Sequence, residues 1–142
     1  MVNEILETEN PDYLCVVLPT AVFVDSYDIK KSFELFNIVE IDAVITFCRY
    51  PHPIERAFVF NDYMEMKYTD HAFTQTQGLR DSYYDAGQFY WGVSDAWREE
   101  RPLFSHKSAP VILPRHRVQD IDTPEDWVRA ELMFELLQKL QD

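Results

Sequence analysis

Two short apolar runs, YLCVVLP (13–19) and AVITFC (43–48), constrain this chain most. Each is rich in β-favouring residues and lacks polar alternation, the pattern of a strand covered on both faces. Between them, Asp25 or Ser26 can cap a helix in which Ile29, Phe33 and Phe36 recur at i, i+4 and i+7, while Asp28, Lys31 and Glu34 face water. Strand, helix and strand in that order predict a right-handed βαβ unit within an α/β layered fold, with 13–19 as a central strand. The 142 residues, 46% of them hydrophobic, suit one domain spanning 1–142.

Charge and hydropathy narrow the partners. With 25 acidic against 13 basic side chains the net charge is −12, a field that repels phosphate backbones, so no nucleic acid is expected. No run reaches the roughly 18 apolar residues of a membrane span, and MVNEILETEN lacks the apolar core of a signal peptide. A soluble cytoplasmic protein is the expectation. Cys15 and Cys48 stand far apart in apolar runs, which offers neither a CxxC pair nor a zinc cluster and predicts buried, reduced thiols. The three glycines, Gly78, Gly87 and Gly92, form none of the Gly-rich loops that cradle phosphates.

Beyond Arg49, Pro51 and Pro53 break the chain, and residues 56–61 and 63–68 predict a β-hairpin about Asn61-Asp62. In its second arm Met64, Met66 and Tyr68 alternate with Tyr63, Glu65 and Lys67. Residues 69–84 are polar and aperiodic, and a loop of that length in a compact domain usually serves function or a partner. GQFYWG (87–92) predicts an aromatic strand, Ser94 a cap for a short helix stopped by Pro102, and residues 109–113 another strand. Thr123-Pro124-Glu125-Asp126 opens a final helix with Thr at the N-cap and Pro at N1. Along it Trp127, Ala130, Phe134 and Leu137, and also Met133, Leu136 and Leu140, recur at helical spacing, as core-packing residues do.

The strongest chemical candidate is Asp120-Ile121-Asp122, just ahead of that helix. In an extended segment i and i+2 side chains point the same way about 7 Å apart, so both carboxylates can address one site. Mg²⁺ is commonly held by one or two carboxylates, with waters and substrate phosphates completing its shell. Capping and dipole stabilisation would select the same pattern. In 85–91 (DAGQFYW) Gln88 and Tyr90 would share a face, where amide and phenol groups could orient a polyhydroxylated ligand. Arg115, His116 and Arg117 form a short basic cluster and Arg56 follows the double-Pro turn; each is either solvated charge or an anion contact. His52, His71, His106 and His116 lack metal-ligand spacing.

Five segments together carry a resemblance: LPTAVF (18–23), YPHPIERA (50–57), YYDAGQFYWG (83–92), PLFS (102–105) and PVILPRHRVQDIDTPEDWVRAE (110–131). In this order and spacing, the chain from about 12 to 140 resembles the acylneuraminate cytidylyltransferase family, most of all its pseudaminic acid branch. The resemblance implies a Rossmann-like, three-layer nucleotidyltransferase fold in which the anomeric hydroxyl of a nine-carbon acidic sugar attacks the α-phosphate of CTP and pyrophosphate leaves. It implies Mg²⁺ as cofactor, with Asp120 and Asp122 as its ligands, and Thr20, Gln77, Gln88, Tyr90 and Phe104 as substrate-binding residues. Residues 54–82 match the family's projecting dimerisation arm, so a homodimer or larger oligomer is expected.

Two departures from the family pattern stand out. The family's first strand and its Arg-, Gly-, Ser- and Lys-rich loop, which grips CTP, have no counterpart in these residues; the expectation is a carboxyl-terminal part that lacks the first strands of the fold and is weak or inactive alone. Where relatives tend to read TRSQDL, residues 74–79 read TQTQGL, with Gln75 for Arg and Gly78 for Asp, and Val22 stands where Pro is expected. An alternative expectation is a non-catalytic remnant acting as an oligomeric binding or interaction module.

Overall fold

A computed structural model describes residues 2–140. It is an α/β structure with a mixed four-stranded sheet, formed by β1 (Tyr13–Val17), β2 (Ala43–Arg49), β5 (Tyr83–Val93) and β6 (Ser108–Leu113) in the order β1-β5-β2-β6. β5 is antiparallel to both neighbours, whereas β2 and β6 are parallel, so β1, β2 and β6 all run the same way. A separate hairpin pairs β3 (Phe58–Phe60) with β4 (Met64–Met66).

The sequence expectation of a strand–helix–strand unit holds in element order and strand direction, with one correction. β5 inserts between β1 and β2, which leaves β1 at a sheet edge rather than at the centre. Tyr13 and Val17 are accordingly exposed, and the fully covered strand is β2, with Val44, Ile45, Thr46 and Cys48 buried.

Helix α2 (Ser26–Phe33) starts at Asp25, whose carboxylate accepts from the Tyr27 N–H at 2.7 Å, and passes into a 3₁₀ turn over Glu34–Asn37. Its apolar residues form an aromatic layer on the sheet: Phe33 contacts Tyr13 and Trp91 at ring-centroid distances of 5.0 and 4.9 Å, and Phe36 contacts Tyr13 at 4.9 Å. Trp91 Nε1 donates to the Ile29 carbonyl at 3.2 Å, tying helix to strand. Asp28 does not face water as expected, because it forms an ion pair with Arg117 in which both side chains are mostly covered. That pair also takes Arg117 out of the basic cluster.

At the amino end, Val2–Thr8 forms a short helix, α1, that the polar composition did not announce; it buries Leu6 and lies against α3 (Ser94–Arg98). The expected loop 69–84 is shorter and better ordered than its composition implies. It contains 3₁₀ turns at Thr69–His71 and Thr76–Gly78, and β5 begins already at Tyr83. Arg56 holds it, its guanidinium donating to the carbonyls of His71, Ala72 and Thr74.

Helix α4 (Pro124–Lys139) requires the largest correction. Only a narrow stripe of Asp126, Ala130, Met133 and Leu137 is buried or half-buried. Trp127, Val128, Leu132, Phe134, Leu136 and Leu140 are each more than half exposed, so within this chain the apolar spacing does not mark a core face. Both thiols are free: Cys48 is fully buried, while Cys15 is half-buried and pushed by burial to a pKa of about 11.

Candidate functional site

The site begins with an irregularity in β5. Between the Ile45–Tyr90 and Phe47–Asp85 pairs, β2 advances two residues and β5 advances five. The intervening Ala86–Phe89, opposite Thr46 alone, form a bulge whose pivot is Gly87 at φ +58°, a left-handed conformation that favours glycine. Thr46, fully buried on β2, closes the gap in the ladder: its hydroxyl donates to the Phe89 carbonyl at 3.1 Å and accepts from the Phe89 N–H at 3.4 Å. A buried backbone pair left open would cost about 1–3 kcal/mol per group.

Asp85 organises the exposed side of this bulge. One carboxylate oxygen accepts the Gly87 N–H at 3.1 Å and the other accepts the Tyr90 hydroxyl at 2.7 Å. Burial first, then the bond to Asp85 and the charges of Asp85 and Asp120, hold the Tyr90 phenol well above its ordinary pKa. With its single proton committed to Asp85, Tyr90 presents only acceptor lone pairs to a ligand.

Asp120 meets the bulge from the other side. A Cβ built on Gly87 would lie 3.5 Å from Asp120 Oδ2 and 3.9 Å from Leu18 Cδ1. Leu18 leads the turn at the end of β1, donating to the Gln88 carbonyl at 3.0 Å, and the next residues carry half-buried Thr20. The chain beyond β1, the bulge of β5 and the segment beyond β6 therefore converge at the carboxyl ends of the like-directed strands, where open α/β sheets commonly bind ligands.

Among the described residues no hydrogen bond or ion pair engages the Asp120 or Asp122 carboxylate. Both side chains are exposed. Capping of α4 falls instead to Thr123 and Asp126. The Thr123 hydroxyl accepts the Asp126 N–H at 3.2 Å, and Asp126 accepts the Thr123 N–H at 3.0 Å and the Thr123 hydroxyl at 2.7 Å. Those bonds, the hydroxyl first, lower the Asp126 pKa, and Gln119 Nε2 adds a donor at 3.1 Å. Thr123 and Asp126 thus fill the capping role that the aspartate pair could have served.

The remaining candidates lie in different settings. Gln88 is fully buried; its amide N–H groups fold back onto the carbonyls of Ala86 at 2.9 Å and Gly87 at 3.3 Å, and its Oε1 has no partner. Gln77 is exposed within the Thr76–Gly78 turn. Phe104 is largely exposed and edges onto Phe47 at 6.4 Å, beside a groove shared with Ile45 and His106. Among the described residues neither is hydrogen-bonded to the Asp85–Tyr90–Asp120 group. Asp85, Gly87 and Leu18 are the residues that sequence reasoning missed; a glycine two residues after an aspartate inside an aromatic strand run was the readable signal.

The described residues hold no group of three or more His, Cys, Asp or Glu side chains able to enclose a metal ion. Two hard, unpaired carboxylates fit the sparse protein ligation typical of Mg²⁺, whose other positions belong to water and phosphate.

No protein-family model matches the chain. Two pseudaminic acid cytidylyltransferases from Campylobacter jejuni strains are 33% identical to it over 137 residues, covering 94% of this chain and 59% of those proteins. A Helicobacter pylori protein described as pseudaminic acid cytidylyltransferase and UDP-2,4-diacetamido-2,4,6-trideoxy-beta-L-altropyranose hydrolase is 32% identical over 119 residues, covering 83% of this chain and 23% of that protein. By these matches the chain is a homologue of the pseudaminic acid cytidylyltransferases, and so of the family its motifs resemble, along nearly all of its own length and 59% of theirs.

Proposed function

We propose that the chain is the sugar- and metal-facing part of a CTP-dependent cytidylyltransferase that transfers CMP to a nine-carbon acidic sugar of the pseudaminic or sialic acid type. The observation that carries this reading is the exposed, unengaged Asp120 carboxylate against the Gly87 bulge, with Tyr90 held beside it by Asp85. Asp120 and Asp122 would hold Mg²⁺, which when bound offsets charge on the nucleotide phosphates. Phosphoryl-type transfer depends chiefly on positioning and electrostatics, and these side chains supply both. Tyr90 would accept from a sugar hydroxyl or amide, Thr20 lies in the half-buried turn beyond β1 on the same side of the sheet, and Gln88, fully buried, would support the bulge from beneath. Gln77 and Phe104 would complete the pocket by reaching a ligand too large for the bulge alone.

The donors that grip the triphosphate are not supplied by this site, so the isolated chain is proposed to be a poor catalyst that needs a complementing strand and basic loop. Residues 54–82 are proposed as an arm that docks on a second copy, because Phe58, Val59, Phe60, Tyr63 and Met64 are all exposed on the short hairpin. Analytical ultracentrifugation should show a dimer or larger species that Phe60→Ser weakens.

A second reading, a non-catalytic oligomeric binding module, is favoured by Gln75 and Gly78 in the 74–79 loop, where the family pattern has charged residues. Titration calorimetry with CTP and Mg²⁺ separates the two. Heat that appears only when the amino-terminal half of a relative is added supports the transferase part. Silence with and without that half supports the binding module.

A further inference from the structure

We infer a second binding site, separate from the aspartate pair, for a small organic anion with an apolar body, in the groove between the double-Pro turn and the hairpin. A cavity of about 710 Å³ lies there, within the usual size range of small-molecule sites. Its wall carries Tyr50, His52, Arg56, Lys67, Tyr68 and Tyr83, and no Asp or Glu lines it. Glu55, half-buried and next to Arg56 in sequence, is not among the lining residues.

On a chain of net charge −12, a cleft with two permanent cations and no carboxylate is a local reversal of sign. Four arginines, Arg49, Arg98, Arg101 and Arg117, are paired with acids in the structure. Arg56 forms no ion pair among the described residues: its N–H groups go to the neutral carbonyls of His71, Ala72 and Thr74, which fix its orientation. Lys67 is likewise without an acid among the described residues, its ammonium standing 5.8 Å from the centre of the Tyr68 ring. The Tyr50, Tyr68 and Tyr83 hydroxyls make no hydrogen bond among the described residues, so three phenol donors remain for a ligand. Tyr50 is braced by the Tyr84 ring at 4.9 Å, which makes that wall an apolar surface.

Cations and phenols together select an oxyanion, and the rings select the hydrocarbon or ring that bears it. The site shares no residue with the Asp85–Tyr90–Asp120 group and has the opposite charge.

The test is a titration of the full chain, isotope-labelled at tyrosine, with phenyl phosphate, benzoate and inorganic phosphate, followed through the ring resonances. The tighter of the two organic probes identifies the head group. Saturable shifts are expected for at least one organic anion, with inorganic phosphate weaker by about tenfold because it lacks a body to pack on the rings. Lys67→Met and Tyr68→Leu, at exposed positions that should leave the fold intact, should each weaken binding by about tenfold, and Asp120→Asn should leave it unchanged. The site is disproved by the absence of saturable shifts, by equal affinity for inorganic phosphate, by undiminished binding in either Lys67→Met or Tyr68→Leu, or by loss of binding in Asp120→Asn.

Discussion

The β2–β5 pair and the 54–82 arm are both rich in aromatic and aliphatic side chains, yet they use them in opposite ways. In the strand pair Val44, Ile45 and Phe89 are buried to 1% exposure or less, and even the bulge has its backbone groups answered by Thr46 and Asp85. In the arm Phe60, on a hairpin of three residues a side, is 74% exposed, and Phe73, in the loop beyond it, is fully so. Apolar content therefore does not locate the core of this protein; sheet connectivity does. β5 has a partner on each side and is long enough to bend around Gly87, whereas β3 and β4 have only each other. The outer face of α4 behaves like the arm: its apolar side chains are covered by no other described element.

Substitutions sharpen that contrast. Phe89→Ala should cost about 3–5 kcal/mol in chemical denaturation, because it empties the centre of the strand pair. Loss of less than about 1 kcal/mol would mean that the pair is not the core. Gly92→Ala should cost about 1–3 kcal/mol, since its methyl would sit 2.9 Å from Trp97 Cε2 on a rigid indole. Gly87→Ala should cost about 1–2 kcal/mol from the left-handed backbone, its methyl meeting Asp120 at ordinary contact distance. Phe60→Ser should change monomer stability by no more than about 0.5 kcal/mol; a larger effect would show that the arm folds against the body.

The smallest effect concerns Cys15. Its thiol, raised from 9.0 to about 11 by burial, favours the protonated form in the folded state. The associated stability is complete below about pH 9, where the unfolded thiol begins to ionise, and is lost as the pH rises toward 11. Thermal melts should show that decline in the wild type, and Cys15→Ala should make it shallower, with the raised Tyr84 and Tyr90 phenols still contributing above pH 10.0.

What the sequence made legible was local. The Asp25 cap, the Thr123–Asp126 capping box, the β2 run and the hairpin depend on neighbours within a few residues, and each formed where its pattern stood, the hairpin with shorter strands. The order β1-β5-β2-β6 could not be read, because the insertion of β5 pairs residues about 75 positions apart in sequence and no short-range signal carries it. The same insertion moved 13–17 to the edge. α4 was misread for a related reason: helical spacing reveals an apolar face but not whether another element covers it. Of the candidate site, Asp120 and Tyr90 were visible as residue types near the right elements. Asp85 was not singled out, since its role exists only once Gly87 turns the strand back toward it.

The central claim is that Asp120 and Asp122 face a ligand rather than the protein. Calorimetric titration of CTP at several Mg²⁺ concentrations into the chain complemented by the amino-terminal half of a relative, comparing wild type with Asp122→Asn, tests it most directly. The account predicts Mg²⁺-dependent heat in the wild type that disappears in Asp122→Asn while the melting temperature is unchanged. The same Mg²⁺ dependence in both proteins would contradict it.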